Sequence, residues 1–135
     1  MNNYIAKKEL LSLPRDYTRA MAIQNNDVIY EPLKNYNTER FLKFLINIER
    51  GMEDRIRITG FGIDGPATIS ILEYKDGKII YTTDITRYDK SYNINSVEGD
   101  YITEALVESS NRYMYLFELK ASDGINYEIF KYFIK

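Results

Sequence analysis

Asp54-Arg-Ile-Arg-Ile-Thr-Gly60, Ala67-Thr-Ile-Ser-Ile-Leu-Glu-Tyr74 and Lys78-Ile-Ile-Tyr-Thr-Thr-Asp-Ile85 are three runs of alternating apolar and polar residues. Ile56 and Ile58 alternate with Arg55 and Arg57, and Ala67, Ile69 and Ile71 repeat the period of two that suits a half-buried strand. Lys75-Asp76-Gly77 supplies the turn, because glycine takes the positive φ that a tight hairpin needs. Residues 54–85 therefore predict antiparallel strands.

The remaining elements follow from local signals. Residues 1–13 place Ile5, Leu10, Leu11 and Leu13 among lysines, a pattern for a short amphipathic helix or a flexible strap. Arg19–Gln24 is a run of good helix formers that Asp16 or Thr18 can cap and Asn25-Asn26-Asp27 can end. Val28-Ile29-Tyr30 predicts a short strand before Pro32. The clearest helix is predicted after Asn37 or Thr38 as cap, with Glu39 in its first turn, Phe41 to Ile48 following and Gly51 just past its end. Its Phe41, Leu45 and Ile48 share one face, flanked by Leu42 and Phe44, while Arg40, Lys43 and Glu49 face water. Thr86–Asp100 is rich in Asn, Asp, Ser and Tyr and predicts a long loop. Tyr101–Glu108 fits either period, and turn spacing favours a strand. Arg112–Lys120 and Ile125–Ile134 complete a meander across the Asp123-Gly124 turn. The fold class is α+β: an antiparallel β-sheet of five to six strands with one or two N-terminal helices packed on one face, in a single domain over 1–135.

Composition removes several functions. The chain has no Cys and no His, so disulfides, zinc–thiolate sites, thiol catalysis and a Ser-His-Asp triad have no side chains to work with here. With 18 basic against 20 acidic residues, no positive excess draws the chain to nucleic acid. No apolar run approaches the ~20 residues of a membrane span. Met1-Asn-Asn-Tyr-Ile-Ala-Lys-Lys8 lacks the apolar core of a signal peptide, so the expected location is cytoplasmic as given, and a cell-envelope lipoprotein if a signal segment was trimmed.

Three features carry candidate chemistry. Gly60-Phe-Gly-Ile-Asp-Gly65 spells GxGxxG after a strand, but Pro66-Ala-Thr-Ile-Ser-Ile71 continues as β where dinucleotide binding needs a helix. The expected role is a glycine loop between adjacent strands, with no cofactor. Asp84, Thr86, Arg87 and Asp89 cluster where a strand enters the long loop, and Asp64 in another loop can approach them. They offer oxygen ligands without the EF-hand spacing, and an Arg87–carboxylate pair pinning the loop is the simpler account. The 13 tyrosines suit strands with one wet end, but Tyr88 and Tyr92 fall in the loop, where exposed rings serve binding. Arg55, Arg57 and Thr59 share a strand face. With Glu73 they form either a polar site or the solvated side of the sheet.

Asp16-Tyr17-Thr18, Asn25-Asn26-Asp27-Val28-Ile29, the helix ending at Gly51, Arg55-Ile56-Arg57-Ile58, Asp64-Gly65-Pro66, Leu72–Ile79 and Tyr81…Asp84-Ile85-Thr86-Arg87 occur in that order. Together, over about residues 16–90, they resemble a bacterial family catalogued as domain of unknown function 4362. Members of that family commonly look like lipoproteins with a lipidated Cys and often carry cysteines in C-terminal strands; this chain has none. Tyr88 also intervenes between the Thr-Arg segment and Asp89. The resemblance implies fold and lineage, and no activity.

The expected function is a non-catalytic binding protein for an unknown protein or small ligand, inhibitor- or immunity-like by analogy with other small α+β proteins. Its candidate binding residues are Arg57, Asp64, Asp84, Arg87, Tyr88 and Tyr92. Two alternatives stand beside it: a carboxylate- or divalent-metal-dependent enzyme using Asp64, Asp84 and Asp89, and a self-associating structural protein pairing strand edges. No catalytic residue, resident metal, nucleic-acid partner or membrane span is expected.

Overall fold

A computed structural model describes residues 4–32, 34–63 and 65–134. In chain order the elements are α1 (Tyr4–Ser12), α2 (Arg19–Gln24), β1 (Val28–Tyr30), β2 (Asn35–Tyr36), α3 (Thr38–Glu49), β3 (Asp54–Gly60), β4 (Thr68–Lys75), β5 (Lys78–Asp84), β6 (Asn95–Ser109), β7 (Arg112–Ala121) and β8 (Asn126–Phe133). They build one mostly antiparallel sheet in the order β2-β1-β3-β4-β5-β6-β7-β8. The β3–β4–β5 meander is antiparallel as expected, and its register sets Arg55 opposite Glu73 and Leu72 opposite Tyr81. Asp76 and Gly77 both take positive φ, 53° and 75°, in the turn between β4 and β5.

The eight-stranded sheet exceeds the five or six strands expected. The two-residue β2 carries too little pattern to be seen, and β1 joins β3 in parallel, Val28 opposite Ile58. That parallel pairing follows from connectivity, since a helix crossover returns the chain in the same direction. Residues 101–108 are strand, as turn spacing favoured, but β6 already begins at Asn95, so the loop after β5 is 85–94 and not the longer 86–100.

Helices cover both faces, where one was expected. On one face Phe41 and Phe44 of α3 are buried among Ile56, Ile58, Leu72, Ile79, Phe117 and Phe130. Phe41 lies 4.9 Å from Phe117 and 4.5 Å from Phe130, ring centre to ring centre. Burying rings of this size stabilises by roughly 1.5–3 kcal/mol each before entropy is subtracted. On the other face, α1 and α2 bury Ala6, Leu10 and Ala22 over Ile29, Ile69 and Ile71. The first residues are thus a packed helix from Tyr4, not a strap; Met1–Asn3 lie outside the described residues. Among the described residues no helix is long and apolar enough to cross a membrane.

The sheet curls around α3 until its edges meet. Asn35 of β2 donates its Nδ2 to the Lys131 carbonyl at 2.9 Å and accepts from the Phe133 amide at 3.4 Å, both on β8. The Tyr30 ring stands edge-on to Phe130, 6.1 Å away. Thr18 caps α2, accepting from the Met21 amide at 3.2 Å. Asn37, at the start of α3, makes no cap. It is left-handed, with φ 61°, and its amide instead donates to the Asn26 carbonyl at 3.0 Å. Nor does Arg40 face water: it grips Asp54 with both Nη atoms at 2.9 and 2.5 Å, docking α3 on β3.

Two outcomes test this arrangement. Asn35→Ala removes two edge-closing bonds and should cost about 1–2 kcal/mol in denaturant unfolding, with amides of β8 exchanging faster than those of β4. Burial pushes the Asp54 carboxyl up, but hydrogen bonds from Arg40, Asn47 and the Arg55 amide outweigh it and hold its pKa below the ordinary value. Its stabilising contribution is therefore complete above the unfolded pKa of about 3.9 and fades as pH falls below it. The melting-temperature gap between wild type and Asp54→Asn should be widest near neutral pH and narrow as melts are repeated toward about pH 3.

Candidate functional site

β3 carries the polar stripe Arg55, Arg57 and Thr59 on the face opposite Ile56 and Ile58, as its alternation requires. The stripe is solvated only at one end: Arg55 stays exposed, whereas Arg57 is half-buried against Glu9 of α1 and Thr59 is fully buried. Beside it sits Asp27, only 2% exposed, immediately before β1. Its carboxylate accepts from the Tyr17 hydroxyl at 2.7 Å, Thr59 Oγ1 at 2.8 Å and Arg57 Nε at 2.8 Å. Arg57 also meets Glu9 of α1 at 2.8 Å, and Glu9 bridges to Arg55 at 2.6 Å. Glu73 approaches Arg55 at 3.4 Å, so those two do pair across strands. Burial opposes the Arg57 charge, but Asp27, Tyr17 and Glu9 outweigh it and raise its pKa. Burial likewise raises the Tyr17 hydroxyl, with Asn25 opposing and Asp27 adding. A polar cleft of about 230 Å³ opens beside this network, lined by Asn25, Arg40, Arg55 and Arg57 among others. Every cation in it is already matched by a carboxylate.

The second cluster is also internally satisfied. Asp84 and Arg87 pair at 2.9 Å with side chains 1% and 2% exposed. Thr86 fills the other Asp84 oxygen through its amide at 2.8 Å and hydroxyl at 2.6 Å. Arg87 then reaches the carbonyls of Leu13 and Pro14 at 3.1 and 2.8 Å, so it pins the segment after α1 as well as its own loop. Asp89 accepts from the Ser91 amide and hydroxyl, which hold its pKa down. Among the described residues no group of three or more carboxylates is placed to hold a metal. Asp64 lies outside the described residues.

The glycine loop and the loop after β5 do meet. Tyr88, 73% exposed, lines one groove of about 400 Å³ together with Phe61, Gly62 and Pro66. Tyr30, Pro32 and Gly60 complete it on the β1 side. No helix follows Pro66; the chain passes into β4, as the β pattern predicted. Gly60 is required by a close approach, since a Cβ there would lie 2.5 Å from the Tyr30 ring. Tyr92, 51% exposed, does not line this groove, and Arg57 lines the polar cleft instead.

With that geometry in view, the sequence model described as Domain of unknown function (DUF4362) matches residues 25–114. The chain belongs to the DUF4362 family. No curated protein and no solved structure matches it. The DUF4362 span begins later than the quoted motifs and runs further, into β7, taking in Asp27, Arg57, Asp84, Arg87 and the whole glycine loop. Glu9 and Tyr17, which complete the Asp27 network, precede it. Sequence reading missed Glu9, Tyr17 and Asp27 as a unit. One signal was available: two arginines and a threonine on one face of a strand inside a sheet need counter-charges if that face is covered.

Neighbouring residues of the loop should respond in opposite ways. Arg87→Ala leaves the buried Asp84 carboxylate unpaired and should cost roughly 3–5 kcal/mol, with faster proteolysis around residues 12–15. Tyr88→Ala should stay within about 0.5 kcal/mol of wild type in the same melts.

Proposed function

We propose that this protein is a non-catalytic binding protein, and that its partner, a protein or a small ligand, docks in the groove between the glycine loop and Tyr88. One observation carries this reading: a tyrosine ring is held 73% exposed beside a groove faced with Phe61, Pro32 and Pro66. A large ring left in water contributes little to folding, whereas the same ring closing over a ligand removes much apolar area from solvent. At about 400 Å³ the groove falls in the size range of small-ligand sites, while the polar cleft by Arg57 is smaller and its charges are spent on one another. Glycines along the wall let a partner approach the backbone closely. Tyr92 stands in the same loop as a further exposed ring that a larger partner can reach. Asp84 and Arg87 support the groove by anchoring the loop, rather than by touching what binds.

The double variant Tyr88→Ala with Tyr92→Ala tests the reading. Affinity capture from the native host should recover a partner with the wild-type chain and lose it with the variant, while the melting temperature moves by no more than about 4 °C. Unchanged capture, or a variant that unfolds, would overturn the assignment.

A further inference from the structure

β6 outruns its neighbour. It pairs with β5 only over Asn95–Gly99, because β5 begins at Lys78, and a bulge between Gly99 and Tyr101 shifts it by one residue against β7. From Tyr101 to Ser109 it pairs with β7 alone, so among the described residues the other edge of this stretch has no strand beside it. Soluble proteins commonly blunt such edges with Lys, Pro or a covering element. Residues 101–108, Tyr-Ile-Thr-Glu-Ala-Leu-Val-Glu, contain neither Lys nor Pro. A cleft of about 390 Å³ runs alongside, between α3 and the hairpin, walled by Leu45, Ile48, Ile102 and Phe117 and rimmed by Glu49 and Glu104.

The alternation of the strand specifies what fits. Ile102 and Glu104 lie opposite Leu119 and Phe117, so they face the α3 side, and Leu106 and Glu108 follow on that same face. Leu106 is 56% exposed there. The face thus reads apolar, acidic, apolar, acidic. Glu49, Glu104 and Glu108 have no ion-pair partner among the described residues, while nearby Asp100 is matched by Lys78 at 2.5 Å. From Asn95 to Ser109 there is no Lys or Arg. A second copy would bring its own Glu104 and Glu108 to the same strip, and like charges close together oppose pairing.

We propose that the open edge of β6 over residues 101–108 is a strand-addition site for an extended basic segment of another protein, with apolar and Lys or Arg residues alternating at every second position. Backbone hydrogen bonds to the free edge hold the segment. Its apolar side chains enter the cleft against Ile102 and cover the exposed Leu106 beyond it, and its cations meet Glu104 and Glu108. This site is separate from the Tyr88 groove and stands whether or not that groove binds anything.

The probe is the acetylated peptide Thr-Val-Thr-Lys-Thr-Val-Thr-Lys, titrated into the full chain by fluorescence anisotropy and amide NMR. Shifts should concentrate in residues 101–108 and Leu45–Glu49. Glu104→Lys with Glu108→Lys, both exposed, should weaken binding about tenfold or more without changing the fold. Methylating alternate peptide nitrogens should abolish binding, and moving each Lys by one position, to the far face, should weaken it. Equal binding of the methylated peptide would mean charge attraction alone and would overturn the proposal. So would shifts centred elsewhere, indifference to the double Glu variant, or a dimer in light scattering that the same variant strengthens.

Discussion

The buried carboxylate of Asp27 ties the two halves of this structure together. A charge taken out of water must find donors, or the desolvation cost is not recovered. Here the donors come from separate parts of the chain: Tyr17 before α2, and Arg57 and Thr59 on β3. Arg57 passes the constraint on to Glu9 of α1. The parallel pairing of β1 with β3, the position of α2 and the seating of α1 are therefore linked through one anion. Removing any one donor leaves the others facing an under-satisfied buried charge, so these elements are expected to lose order together rather than singly.

That constraint also shapes the outer surface. α1 buries few apolar residues, chiefly Ala6 and Leu10, and is held from its C-terminal half by polar contacts: Glu9 against Arg55 and Arg57, and the Leu13 and Pro14 carbonyls just past its end against Arg87. The same Arg87 closes on Asp84 and sets the start of the 85–94 loop. Because Arg87 is rigidly held, the next residue, Tyr88, leaves the protein body in a defined direction beside Phe61 and Pro66. A buried ion pair and an exposed ring one residue apart thus have complementary tasks, one fixing geometry and the other offering area.

What the sequence disclosed follows the range of the forces involved. Alternation of Ile56, Ile58, Ile69 and Ile71, and the Phe41-Phe44 stripe, are local signals, and they placed the central meander and α3 correctly. The lack of a helix after Gly65 was equally legible, because Pro66–Ile71 carries a β pattern. Pairings between distant segments were not. Arg40 looks like a solvent residue in its own helix, and only Asp54 across the crossover makes it an anchor. Asn37 looks like a helix cap, but a tertiary carbonyl claims its amide. The covering of the Arg55–Arg57 face depends on α1, whose weak amphipathic pattern does not reveal which side of a sheet it will choose.

Sheet edges bring the same distinction to the rest of the molecule. A sheet of eight strands has two edges, and curling brings β2 and β8 together, so that one asparagine can satisfy backbone groups of β8. Had all strands been of equal length, that closure would have left little edge exposed. β6 spans fifteen residues against seven in β5, and the excess cannot be paired from within. β5 begins at Lys78 and so does not follow β6 past Gly99, where a bulge also shifts β6 by one residue against β7. Length mismatch between neighbouring strands, rather than any single residue, therefore creates the open edge, and the acids along it decide what it repels.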